Sequence, residues 1–107
     1  MEPARKLYGR TDSSFFYEDV EEAEQKTLGM ILWEPEKLEQ VRTKLNPNDF
    51  RYEKHRLIFQ AMLDMSTQNI PIDVSSLWEF LRGRGELDMA GGSSYITYLT
   101  LVARGDI

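Results

Sequence analysis

Apolar residues recur every three or four positions along this chain, in successive stretches separated by proline, asparagine and glycine, and that spacing leaves few folds open. It gathers them on one side of a helix, and a helix with a single apolar stripe must bury it against another helix or a sheet. In "DVEEAEQKTLGMILW" the stripe is Val20, Ala23, Thr27, Leu28, Ile31 and Leu32. Asp19 and Glu22 have the spacing of a capping box, and the acidic cluster sits where the helix dipole favours negative charge. Gly29 inside this helix costs roughly 1 kcal/mol against alanine. A close helix crossing would account for it.

Pro35 is placed to start a second, short helix, "PEKLEQVRTKL", with Leu38, Val41 and Leu45 as its stripe. "NPNDF" ends it in a turn from which Phe50 is expected to plug the core. "YEKHRLIFQAMLDMSTQ" reads as the longest helix, with His55, Ile58, Phe59, Met62 and Met65 on one face and Asn69 in a left-handed stop before Pro71. Asp73 is a good N-cap for "VSSLWEFL", whose buried face would be Val74, Leu77, Trp78 and Leu81. "ELDMA" reads as one further short helical turn. The last helix, "SSYITYLTLV", turns Tyr95, Ile96, Leu99 and Val102 inward. Gly91 and Gly92 form the tight corner before it, with Ser93 as its cap. The expected fold is all-α, a compact orthogonal bundle of about five to six helices over residues 18–107. Residues 1–17, which lack the periodicity, are read as an extended or disordered arm whose Phe15, Phe16 and Tyr17 pack back on the domain or meet a partner.

The chain's 107 residues suffice for one core and not two. It has no cysteine, so thiolate metal sites and disulfides are excluded; this fits a reducing cytoplasm, the expected location. No run approaches the roughly 20 apolar residues that cross a bilayer, and the start lacks the apolar core of a secretory signal. No membrane partner is expected. Net charge is −5; residues 1–17 hold three basic and two acidic side chains, leaving ten basic against sixteen acidic in the helical part. An acidic domain is poorly suited to gripping phosphates. "RYEKHR" and "LRGRGEL" are its two small basic spots.

Candidate catalytic constellations are missing. The single histidine, the absence of cysteine and the lack of a G-x-S-x-G motif leave no nucleophile of the usual kinds. His55 lies on an apolar helix face with no second ligand three or four residues on, so it is read as a hydrogen-bonded core residue. The carboxylates fall mostly on faces expected to be exposed. The glycine pair neither follows a strand nor belongs to a phosphate-binding loop. No catalytic, cofactor-binding or metal-binding residue is assigned, and no enzymatic activity is expected of this chain alone.

Five pieces in order carry a resemblance. "EAEQKTLGMIL" is similar to E-A-E-x-x-x-L-G-x-[IL]-L, and "NDF" follows; "HRLIFQAM" is similar to H-x-x-I-F-x-A-[MI]. "PIDVSSL" is similar to P-[IV]-D-x-x-[TS]-[LV], and "GELDMAGGSSYITYL" to G-x-L-x-x-x-G-G-x-x-Y-[IL]-x-x-L. Over about residues 20–101 the chain resembles the N-terminal domain of the DnaB-like replicative helicases of bacteria and phages. That resemblance implies a collar domain that associates with other helicase subunits and recruits primase, and in some systems a loader. ATP, Mg²⁺ and unwinding would belong to a motor domain, absent here together with the helical hairpin that precedes it, and DNA would be reached only by the full-length protein. The parent protein would be an ATP-dependent DNA helicase. Two alternatives stand beside this reading: a helicase-binding module of a primase-like partner, and a small regulatory DNA-binding protein.

Candidate partner contacts are Trp33, Leu57 and Phe80, apolar residues that helical spacing leaves off the buried faces; each could instead fill a gap at a helix crossing. Gly29, His55, Phe59, Asp73, Gly91, Gly92 and Tyr95 are assigned structural roles.

Overall fold

A computed structural model describes residues 19–105; the arm of residues 1–17, with its aromatic trio, lies outside them, as does the side chain of Asp19 and with it the expected capping box. Five α-helices follow in order: α1, Asp19–Trp33; α2, Leu38–Val41; α3, Glu53–Thr67; α4, Val74–Gly83; and α5, Gly92–Arg104. No strand occurs among the described residues.

The expected single helix after Pro35 is instead a 3-10 turn, Pro35–Lys37, followed by one α-helical turn, α2. Its apolar side chains explain the economy. Leu38 and Leu45 are buried and Val41 partly so, which anchors the segment at both ends without a longer helix. The "NPND" turn is a second 3-10 segment, Pro47–Asp49, closed by a reciprocal box: Asn46 Oδ1 accepts from Asn48 N–H and Asp49 Oδ2 from Asn46 N–H. It drives Phe50 into the core, with its ring 5.1 Å from that of Phe59.

α3 is the central helix. Its His55, Ile58, Phe59, Met62 and Met65 are fully buried, as the spacing predicts. It stops where Asn69 takes φ 60°, letting Ile70 N–H reach back to Met65 C=O at 2.8 Å. Asp73 caps α4: its Oδ1 accepts from Ser76 N–H at 2.8 Å while Ser76 Oγ accepts from Asp73 N–H at 2.9 Å. Asp73→Ala should therefore cost about 1 kcal/mol, and Asp73→Asn only a few tenths, in urea denaturation followed by circular dichroism.

Two further expectations are corrected. "ELDMA" is a turn rather than a helix, ending with Gly92 N–H bonded to Leu87 C=O at 2.9 Å. The cap of α5 is Gly91, not Ser93, which lies within the helix and whose carbonyl accepts from the Thr97 hydroxyl. Gly91 and Gly92 take φ values of 106° and 85°, so the chain turns the corner through backbone shape alone. A Cβ on Gly91 would meet the Tyr95 ring at 2.7 Å. That glycine lets the ring settle over the corner.

α1 and α5 run side by side in the same direction: Gln25 meets Tyr95, Gly29 meets Leu99 and Ala103, and Trp33 meets Thr100. Gly29 is the closest point, and a Cβ there would stand 2.1 Å from Leu99 O. The absence of a side chain at Gly29 is what permits this approach.

Candidate functional site

The side chains of α1 contain the largest departure from the sequence reading. Glu24, one of the acidic residues read as a dipole-favoured helix start, is fully buried, and Gln25 nearly so. The buried face of α1 is rotated toward these two polar residues, and Val20, Ala23 and Thr27 sit at its edge. Burial without partners would be costly, and partners are supplied from far along the chain.

Glu24 Oε2 accepts from Arg51 N–H at 2.6 Å, and Oε1 from His55 Nδ1 at 2.7 Å and Tyr52 N–H at 3.4 Å. A carboxylate only accepts, so Nδ1 carries the proton and His55 Nε2 is free to accept from the Tyr95 hydroxyl at 2.6 Å. The Tyr95 oxygen in turn accepts from Gln25 Nε2 at 3.0 Å. These bonds are mutually consistent with a neutral imidazole, and no buried side-chain N or O among the described residues lacks a partner. His55 is thus a hydrogen-bonded core residue. The rings stack as well, with His55 and Tyr95 centroids 5.9 Å apart at 13°.

At the outer edge Lys54 binds Glu21 at 2.9 Å and lies 4.3 Å over the Tyr95 ring. Burial raises the phenol of Tyr95 above its ordinary value, against the lowering effects of the Gln25 bond and the nearby ammonium. Burial alone would lower Lys54, but its bond to Glu21 and the neighbouring Tyr95 and Glu21 charges raise it. In both groups the folded state holds its proton more tightly than the unfolded chain. That contribution to stability is complete below the unfolded values near pH 10 and is lost as pH climbs through the raised folded ones. The urea midpoint should fall as pH rises above about 10, and less so in Tyr95→Phe.

The three candidate contact residues lie on three different helices. Leu57 is half-buried against the core. Phe80 is also half-buried, with the Arg84 guanidinium 5.0 Å over its ring and Arg84 itself held by Asp64 at 2.6 Å and Glu86 at 3.2 Å. Trp33 is different. It is 49% exposed and rigidly set, with Nε1–H donating to Thr100 C=O at 2.9 Å and Arg104 5.2 Å over the ring. Leu101, one turn before Arg104 on α5, is 37% exposed. Leu101 and Met89, which is 57% exposed in the turn before the glycine pair, escaped the sequence reading. Only the register of neighbouring helices reveals such positions. Beside Trp33 an open groove of about 360 Å³ is lined by Leu32, Trp33, Asp73, Val74, Ser75 and Thr100.

No group of three or more His, Asp or Glu placed to hold a metal occurs among the described residues, and no helix there is long and apolar enough to cross a membrane. Among the described residues, fold and site define an all-α arrangement with a polar joint in its interior and the hydrogen-bonded Trp33 indole on its surface. The family model for the DnaB-like helicase N terminal domain matches residues 17–104. The replicative DNA helicase DnaB of Pasteurella multocida is 39% identical over 79 residues, which are 74% of this chain and 17% of that protein. That of Rhodothermus marinus is 38% identical over 79 residues, 74% of this chain and 8% of that protein. The crystal structure of the N-terminal domain of DnaB helicase from Mycobacterium tuberculosis superposes with a TM-score of 0.73 at 31% identity, covering 76% of this chain and 56% of that one. The chain belongs to the DnaB-like helicase N-terminal domain family, and spans less than a fifth of the length of these two helicases.

Proposed function

We propose that this chain is the collar domain of a replicative DNA helicase. It associates with neighbouring helicase subunits in ring assembly and offers a surface to primase or a helicase loader. ATP, Mg²⁺ and DNA unwinding belong to a motor region of the longer protein, in the cytoplasm. The observation that supports this reading is the match to the helicase N-terminal domain family over nearly every described residue. The acidic balance agrees, because it disfavours direct contact with the nucleic acid backbone.

The test combines three measurements on the purified chain: light scattering across a concentration series, calorimetric titration with the helicase-binding region of primase, and fluorescence anisotropy with single-stranded DNA. Concentration-dependent self-association or primase binding, with no tight DNA binding at physiological salt, supports the reading. Tight DNA binding at that salt, or neither kind of protein contact, overturns it.

A further inference from the structure

We propose that the groove beside Trp33 receives a single arginine or lysine side chain from a protein partner. The inference rests on the reading of the chain as a protein-binding helicase domain, and names the chemistry that its surface selects.

Three features of the groove point to a long basic side chain. Leu32 and Val74 in its lining offer apolar surface that suits an aliphatic stem. Its wall is the Trp33 indole, already fixed by the bond to Thr100, so little ordering is needed on binding. Its rim carries the Asp73 carboxylate. Only Oδ1 of that carboxylate is used in capping α4, and Oδ2 makes no bond among the described residues. The indole's fit to a guanidinium is visible within the molecule, where Arg104 stands 5.2 Å over it. Glu34, next in sequence to Trp33, is paired to Lys37 at 3.5 Å. The positive end of α4 and the charge of Arg104 weaken the attraction for a second cation, while the net charge of −5 favours basic partners over the longer range. A weak, specific subsite is the expected balance.

The probe is N-acetyl-L-argininamide, titrated into the ¹⁵N-labelled chain by NMR against N-acetyl-L-citrullinamide, which has nearly the same shape and no charge. Saturable shifts are expected at the Trp33 indole N–H and the backbone amides of Val74, Ser75 and Thr100. Argininamide should bind with a dissociation constant on the order of 10 mM, and citrullinamide about fivefold more weakly. Asp73→Asn keeps a capping oxygen but removes the charge, and should bring argininamide down to the citrullinamide level. Ser75→Lys, which sets a fixed cation at the rim, should do the same without touching the cap. Equal binding of the two probes, shifts located elsewhere, or undiminished binding in the folded variants would overturn the proposal. Neither primase nor a second subunit enters the readout. Failure of the groove therefore leaves the helicase reading standing, and failure of that reading is scored by its own titrations.

Discussion

Glu24→Ala is expected to destabilise the domain by about 3–5 kcal/mol, because it leaves several buried donors without an acceptor, each costing about 1–3 kcal/mol. The substitution takes the acceptor from His55 Nδ1–H and from the backbone N–H groups of Arg51 and Tyr52. It also leaves a cavity at the heart of the joint. For a domain of this size the thermal midpoint should drop by more than about 12 °C, read by circular dichroism at 222 nm. Glu24→Gln keeps an oxygen in place and should lose less. Tyr95→Phe deletes one hydroxyl and should cost only about 1 kcal/mol. A Glu24→Ala protein within 1 kcal/mol of the parent would show that the joint is not a source of stability.

The second large effect belongs to Gly29. A side chain there would place Cβ 2.1 Å from Leu99 O and 2.7 Å from Ala103 Cβ. Both are rigid: one is backbone and the other a methyl on a helix, so the strain is relieved only by moving α1 away from α5. Gly29→Val is expected to cost about 3 kcal/mol or more, at the upper end of overpacking effects. Gly29→Ala introduces the same first atom but recovers up to about 1 kcal/mol of helix propensity, so it should fall between valine and the parent. Equilibrium urea unfolding of the three proteins measures the order. Alanine matching or exceeding the parent would contradict the close approach.

The sequence made the helices readable because their apolar stripes are local. Residues three and four apart share a face whatever else the chain does, and His55, Phe59, Leu77 and Leu99 all lie in the core where that rule puts them. Gly29 was legible for the same reason, since a glycine inside a strong helix pattern demands a neighbour at close range. Glu24 was not. An acidic residue in the first turns of a helix is ordinarily solvated, and what buries it are Arg51, Tyr52 and His55, about thirty residues further on. The motif pieces did contain the clue in another form. E-A-E supplies Glu24, H-x-x-I-F supplies His55, and G-G-x-x-Y supplies Tyr95 with the glycine that makes room for its ring. These three fragments, far apart in the chain, are the parts of one hydrogen-bonded cluster. Of the surface candidates, Trp33 is exposed, whereas Leu57 and Phe80 are half-buried against the core. Spacing alone assigns residues at the border of a stripe to neither side.

The joint also bears on how the chain acquires its shape during synthesis. Its bonds link positions 31, 40 and 70 residues apart. A growing polypeptide that has left the ribosome only as far as α4 still lacks Tyr95, and the imidazole of His55 must keep one nitrogen in water. The joint can close only after the final helix emerges, so completion of the core should come late in synthesis. Any fragment ending before α5 should remain open.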